Sequence, residues 1–506
     1  MTVTSKTETE RKYDVDEGTQ VPDLTAVGPV EAREPVTLSA VYFDTASGAL
    51  ANELIALRRR SGGSDEGWHL KTPGVGGRTE HHASLADTVP QGIVDRVQAI
   101  IRGQELTEIA RLTTQRTVIH IFDEQGRPIV EVADDLVSAT SVESGILTMW
   151  REWEAELLDD APTGRRKREA VLDAVERELV AAGATPSKSA SKLARALGRD
   201  SLAQAPGRHT APKTTDGALA KSSPALQVVL VVLEGLIEAL IAADPGARQD
   251  EPDGVHAMRV IVRRIRSVLA TFSSVLEASV ADDIRDRLGT LGAVLGATRD
   301  AEVRHARGLS LLGDLTSPDA DIHRRLIEDA SGERAVRHTD LLAYLNSAEY
   351  FTLLDDLERL LDRPPVTDHS MRPAGTELRA SLLEQVTRTE HRLDKAKKGD
   401  LDELHAARKA ARRLRYALEA VTTGRAAIFG KKFVRLGDMA HLLQDSIGEN
   451  RDAALFLDQL AITLAEATDA GESTGGYAAL ERSEKRAARA ALDNVKGLRR
   501  QFRELA

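Results

Sequence analysis

Apolar and polar residues follow two different rhythms along this chain. Up to about residue 198 they alternate in short runs, AVYFDT, LIALRRR, GWHLKTP, TTQRTVIHIF, RPIVEVADD and TMWREWEAEL, separated by Gly, Asp, Ser and Pro clusters. Such runs predict β-strands. Two stretches, 91–101 and 165–182, have helical spacing and end before Gly103 and Gly183, so helical insertions are expected there. From about residue 225 almost to the end, Ala, Leu, Arg and Glu recur every three or four positions, which predicts helices alone. Between these halves, 199–224 mixes Pro, Gly, Ser, Thr and Lys without a period, the composition of a linker. The expectation is an α+β domain over 1–198, a linker over 199–224 and an all-α domain over 225–506.

The helical half repeats itself. GVHAMRVIVRRIRSVLATF, starting at Gly254, resembles ELHAARKAARRLRYALEAV, starting at Glu403, and 405 − 256, 408 − 259, 412 − 263 and 415 − 266 all equal 149. LGATRD from Leu295 and IGENRD from Ile447 follow each copy. A duplication into repeats of about 225–365 and 374–506 explains both pairs.

With 506 residues, the chain is too long for one core, in keeping with this division. It has no cysteine, which excludes disulfides, thiolate metal sites and a cysteine nucleophile. Any metal must be held by oxygen or imidazole. The polar start, MTVTSKTETERKY, lacks a signal-peptide core, so a cytoplasmic location is expected. The apolar run 226–243 carries Glu234 and Glu238 one turn apart, as an amphipathic helix does, and no membrane association is expected. A net charge of −11 and an aromatic content of 3% argue against nucleic acid as the partner, since backbone neutralisation needs a basic excess and base stacking needs aromatic platforms.

Charge in the first half is gathered by the strand period. Glu8, Glu10 and Lys12 share one strand face, as do Arg58 and Arg60, His69 and Lys71, Glu80 and His82, and Glu152, Glu154 and Glu156. Facing water, these would be ordinary half-solvated strands; a closed barrel would turn them into a charged lumen. Clustered carboxylates there could hold a hard divalent cation, with Arg and Lys neutralising phosphate oxygens.

E-x-E-x-K at the start, followed in order by YFDT, LRRR, WHLK, EVADD and WREWEAEL, resembles the CYTH family of triphosphate tunnel metalloenzymes over nearly all of 1–198. The resemblance implies an antiparallel β-barrel tunnel that hydrolyses, or in some members cyclises, a triphosphate with Mg²⁺ or Mn²⁺. Carried over by position, Glu8 and Glu10 would bind or organise metal, completed by Glu154 and Glu156. Lys12 would join Glu8 and Glu10 in catalysis, and Lys12, Arg58, Arg60, Lys71 and Arg116 would hold phosphates. Asp134 matches an acidic metal position, with Asp135 adjacent and Glu131 able to share the role; spacing does not choose among them. Lys188 and Lys192 resemble the basic end of the domain, where Lys192 would also hold phosphate.

In the second half, His256, Arg259, Arg263 and Arg266 fall within an arc of about 80° on a helix, beside a separate apolar stripe. His405, Arg408, Arg412 and Arg415 repeat the arrangement. Like charges on one face cost stability unless an anion neutralises them. Arg299 and Arg451 either extend the stripes or pair locally with Asp300 and Asp452. H-x-x-R-x-x-x-R-R-x-R in duplicate resembles the CHAD family of conserved-histidine helical domains. That resemblance implies two pseudo-symmetric bundles whose basic groove binds inorganic polyphosphate, with Lys431, Lys432, Arg499 and Arg500 as further candidates for its lining. One histidine per repeat lacks metal-ligand spacing, so phosphate contact is the expected role.

The expected function is an inorganic triphosphatase acting on triphosphate or polyphosphate ends, with the helical domain binding the polymer. The alternative is a non-catalytic polyphosphate-binding adaptor, associated with polyphosphate granules. Thiamine triphosphate hydrolysis and ATP cyclisation stay open within the first family, and the sequence does not set the oligomeric state.

Overall fold

A computed structural model describes residues 3–74, 77–189, 191–198, 218–313, 320–396 and 400–506. Most of the expected linker, 199–217, lies outside the described residues. Two compact units emerge, Met1–Arg208 and His209–Ala506, and each is described by itself.

The first unit is an antiparallel sheet of β1 (Thr4–Glu8), β2 (Glu10–Val15), β3 (Val30–Ala32), β4 (Val36–Asp44), β5 (Ala56–Ser61), β6 (Gly67–Gly74), β7 (Gly77–Ala83), β8 (Thr107–Phe122), β9 (Pro128–Ser141), β10 (Leu147–Leu157) and β11 (Thr185–Pro186). The hydrogen-bonded order runs β1-β7-β6-β5-β4-β8-β9-β10-β2-β11, with β3 on β8. Because only Thr9 separates β1, at one end of this path, from β2, next to the short β11 at the other, one continuous segment joins the two margins and curls the sheet round on itself. Glu8 stands opposite Arg78 on one side of that seam, and Glu10 opposite Glu156 on the other. The alternation seen in the sequence thereby becomes inside and outside.

Outside, α4 (Arg165–Ala181) covers β2, β9 and β10: Leu172, Val175 and Leu179 pack with Tyr13, Val130, Val132 and Trp153. Short helices α1 (Ala49–Asn52), α2 (Gln91–Val94) and α3 (Gln98–Ile101) bury Leu50, Ile93, Val97 and Ile101 against Leu57, Trp68 and Leu70. Asp44 of the YFDT run anchors α1, its carboxylate accepting the backbone N–H groups of Thr45, Leu50 and Ala51. Inside, α5 (Lys192–Ala196) seats Leu193 and Ala196 among Ala40, Tyr42, Leu112, Val137 and Trp150. One end of the interior is therefore filled with apolar side chains, and the remainder is ionic. The stretch 91–101 holds two short helices rather than one; α1, α5, β3 and β11 were not marked by sequence rhythm.

The second unit is helical: α6 (Ala225–Arg248), α7 (Gly254–Thr271), α8 (Ala278–Gly313), α9 (Ala320–His323), α10 (Asp329–Leu345) and α11 (Ala348–Asp362), then α12 (Ala374–Lys395), α13 (Leu401–Thr422), α14 (Lys431–Asp469) and α15 (Tyr477–Leu505). The duplication is visible in the backbone. Ala225 donates to the Arg372 carbonyl at 2.9 Å and Ala374 to the Ser223 carbonyl at 2.8 Å. These bonds are reciprocal under the same step, since 374 − 225 and 372 − 223 both equal 149, which marks a local pseudo-twofold axis. Helix α6 is long and apolar enough by composition to cross a membrane, yet half of its most apolar window is buried. Its far end carries a fully buried Arg248, bonded to Asp244, Asn346 and the Leu345 carbonyl, as expected of a bundle core helix.

Candidate functional site

The barrel interior contains a cavity of about 440 Å³. Its wall includes Glu8, Glu10, Lys12, Arg58, Arg60, Lys71, Arg116, Glu131, Glu154, Glu156 and Lys192, side chains from seven strands and α5. Residues as far apart as Lys12 and Glu154, 142 positions in sequence, meet there because each of these strands contributes one of its two faces.

Carboxylates and cations interlock around this wall. Lys71 Nζ lies 2.6 Å from Glu8 Oε2, and Lys12 Nζ lies 3.2 Å from Glu10 while also contacting Glu154. Arg116 grips Asp135 through two bonds, at 2.7 and 2.6 Å, and reaches Glu154 at 2.8 Å. Lys192 Nζ sits 2.9, 2.6 and 2.8 Å from Asp135, Glu152 and Glu154. Burial works against ionising Glu154, but Lys12, Lys192 and Arg116 outweigh it and hold its carboxyl well below the usual range. Glu8 behaves differently: burial and a hydrogen bond with Glu80 push it up to about 7. Burial opposes ionisation of Glu80 too, but His69, Lys71 and Arg58 hold it far down, so the shared proton resides on Glu8. Arg60 is pushed down to about 10 by burial and by the nearby Arg58 and Arg116, although it also contacts the Asp65 carboxylate.

Asp134 is a correction. It lies on the outer face of β9, where Arg151 binds it at 2.8 and 2.7 Å and the Trp153 indole donates at 3.1 Å. The alternation that turns Glu131 inward carries Asp135, not Asp134, into the interior, and that signal was present in the sequence. Asp134→Asn is accordingly expected to leave metal-dependent phosphate release within about twofold while lowering unfolding stability by about 1–3 kcal/mol, as thermal melting would show. Glu80, His69, Tyr42 and Asp135 are wall or near-wall residues that the expected site set omitted or left open. Lys188 is exposed and is not on the wall.

The donor set fits a hard divalent cation, being carboxylate oxygen throughout. The tightest acidic trio, Asp135, Glu152 and Glu154, already surrounds the Lys192 ammonium. Glu8, Glu10, Glu131, Glu154 and Glu156, which border the open cavity, fit a metal better.

In the helical unit, α7 packs on α13 and brings the two stripes together. Arg263 is pushed down to about 9, first by burial and then by Arg259 and Arg412. Arg412 is pushed down to about 10, by burial and Arg408. Guanidiniums remain charged at neutral pH, so these depressions reflect charge held in a buried site beside other cations. The buried Nε atoms of Arg259, Arg266 and Arg408 and the Nδ1 of His405 have no hydrogen-bond partner among the described residues. Glycines hold two of these arginines flat on the next helix: a Cβ at Gly448 would stand 2.8 Å from Arg408 Nη2, and one at Gly296 3.4 Å from Arg259 Nη2. These are the glycines of the LGATRD and IGENRD motifs.

Burial and nearby cations depress His256 and His405, which flank the cluster. Arg451 lies beside His405 and Arg408. Two expected members are already neutralised: Arg299 pairs with Glu302 at 2.8 Å and Asp253 at 3.5 Å, and Arg415 with Glu419 at 2.6 Å. Arg259 retains a bond of 3.2 Å to Asp300. No described contact joins Lys431, Lys432, Arg499 or Arg500 to the cluster; Lys432 reaches the Ala506 carbonyl at 3.4 Å.

Two family models match the chain, the CYTH domain over residues 6–164 and the CHAD domain over 231–461. Rv2226 of Mycobacterium tuberculosis, itself uncharacterized, is 34% identical over 509 residues, covering 94% of this chain and 92% of that protein. Among solved structures, PptA from Streptomyces chartreusis is 19% identical with a TM-score of 0.43, covering 55% of this chain and 99% of its own. The CHAD domain from the plant Ricinus communis is 22% identical with a TM-score of 0.43, covering 57% and 95%. HpAC1 from Hippeastrum, an adenylyl cyclase candidate with a dominant triphosphatase activity, is 18% identical with a TM-score of 0.23, covering 38% and 95%. On the two domain matches and the near full-length relative, the chain belongs to the family of proteins that join an N-terminal CYTH domain to a C-terminal CHAD domain.

Proposed function

We propose that the barrel hydrolyses inorganic triphosphate, or the ends of polyphosphate, with a divalent metal, and that the helical domain binds polyphosphate. The observation that carries the first part is the ring of carboxylates and cations closed around one cavity. Ionic walls of this kind match an inorganic polyanion better than a substrate with a large organic part. The second part rests on an arginine cluster at whose centre Arg263 and Arg412 have no carboxylate within salt-bridge range among the described residues.

Mg²⁺ or Mn²⁺ held by Glu8, Glu10, Glu154 and Glu156, with Glu131 beside them, would supply Lewis-acid stabilisation of charge on the phosphoryl oxygens. Arg58, Arg60, Lys71 and Arg116 orient the phosphate chain and balance charge as it shifts to the leaving group. Lys12 stands between Glu10 and Glu154 and is placed to exchange carboxylate for phosphate. The α5 residues Leu193 and Ala196 dry one end of the interior, which strengthens each of these charge contacts. Tethering a polymer-binding domain raises the effective substrate concentration at the barrel.

The test is phosphate release from tripolyphosphate, ATP and thiamine triphosphate, each with Mg²⁺, Mn²⁺ or Ca²⁺. Tripolyphosphate with Mg²⁺ or Mn²⁺ is expected to give the highest kcat/KM, by at least about tenfold. No release with any metal, alongside tight polyphosphate binding, would replace the enzyme with the adaptor.

A pH dependence follows from Glu8. Its protonated form cannot ligate metal until the proton leaves, so acidification below about 7 opposes binding. Mn²⁺ affinity, followed by calorimetry, is expected to fall up to about tenfold per pH unit below that point and to level off above it. A flat profile from pH 6 to 8 would remove Glu8 from the metal site.

A further inference from the structure

The helical repeats share their arginine cluster, but the charges on its two flanks are not symmetric. The step of 149 pairs Arg264 with Arg413, Arg266 with Arg415, Ser267 with Tyr416 and Ala270 with Glu419. On one flank Glu419 binds both Arg264, at 2.9 Å, and Arg415, at 2.6 Å, and both guanidiniums lie over the Tyr416 ring. On the other flank Arg266 and Arg413 have no carboxylate within salt-bridge range among the described residues.

Two more arginines stand on that open flank. Arg285 of α8 and Arg388 of α12 lie within electrostatic reach of Arg413, and Arg285 also of Arg266. Their counterparts in the other repeat carry no charge: Gly437 at the step of 152 that relates α8 to α14, and Ala239 at the step of 149. Asp282 pairs with Arg285 on this flank, and Asp286 faces Arg266. The surface under Arg266 is bare, since Cβ atoms at Gly289 and Gly292 would lie 3.3 and 3.8 Å from its guanidinium. Where α8 has these glycines, α14 has His441 and Gln444.

We infer that a polyphosphate chain leaves the central cluster in one direction only, over the open flank, with its outer phosphates held by Arg266, Arg413, Arg285 and Arg388. On the opposite flank Glu419 already engages Arg264 and Arg415, which weakens their pull on the same chain. This inference rests on the reading of the helical domain as a polyphosphate binder. It assigns the polymer a fixed direction on a fold that is otherwise close to symmetric.

The experiment measures binding of long-chain polyphosphate to the full chain without divalent metal, across a salt series. Any contribution from the barrel is common to all variants. Arg285→Gln with Arg413→Gln is expected to weaken binding by at least about tenfold and to flatten the log–log salt slope by about 0.7–0.9 per lost phosphate contact. Arg264→Gln with Arg415→Gln should change affinity by no more than about twofold. Equal losses from both pairs, or no loss from the first, would overturn the direction while leaving the binding reading intact. Undiminished binding in Arg263→Gln with Arg412→Gln would remove the binding reading and the lane together. Circular dichroism melts of each variant separate lost contacts from lost folding.

Discussion

Glu8→Gln combined with Glu10→Gln is expected to slow phosphate release from tripolyphosphate by about a thousandfold or more, a barrier increase of about 4 kcal/mol. These exchanges remove ligand oxygens with little change of shape. Glu8, pushed up to about 7, spends much of its time protonated at neutral pH, so an amide at that position closely imitates its resting form and can still donate to Glu80. Lys12 loses Glu10 but keeps Glu154, and so is not stranded as a buried unpaired charge. The barrel should therefore melt within a few degrees of the native protein while its chemistry is gone. Turnover at the native rate would defeat the assignment of the cavity as a catalytic centre. Loss of turnover with unchanged Mn²⁺ affinity would place these carboxylates on water or phosphate rather than on the metal.

Much of this site was legible before any coordinates because strands and helices sort side chains by fixed periods. Glu8, Glu10 and Lys12 could be placed on one face by counting in twos, and His256, Arg259, Arg263 and Arg266 by counting in threes and fours. The ordered motifs then made a closed barrel the economical way to use those faces. Asp134 went wrong at the one place where two acids stand side by side, since a motif match fixes a neighbourhood whereas only the register fixes a face. Carrying the alternation on from Glu131 would have selected Asp135.

Other features had no local signal. The role of Lys192 depends on α5 folding back inside the barrel, which is set by Leu193 and Ala196 meeting Tyr42, Leu112 and Trp150 from distant strands. Whether Arg415 or Arg266 is free depends on Glu419, one turn further along α13, a pairing that the repeat alone conceals. The duplicated motif made the two arginines look equivalent; the acid beside one of them makes them different.

Arg263→Gln with Arg412→Gln is expected to lower long-chain polyphosphate affinity by at least about a hundredfold, and at the same time to raise the melting temperature of the ligand-free helical unit by a few degrees. Both effects come from one cause. Burial and like-charged neighbours push Arg263 and Arg412 well below the ordinary arginine value, so their charged forms are less favourable folded than unfolded. A basic group depressed in this way costs stability while it is protonated in the unfolded chain, and the cost disappears only as pH rises beyond its ordinary range. At neutral pH the full cost is present, and neutral side chains of similar length relieve it. A bound polyanion relieves it in the native protein instead, so polyphosphate should raise the native melting temperature markedly and leave that of the double variant almost unmoved. A variant that is both less stable without ligand and undiminished in binding would show that these arginines are compensated structural charges. A variant that is more stable and unable to bind would show that the domain holds part of its binding energy as repulsion stored between its two halves.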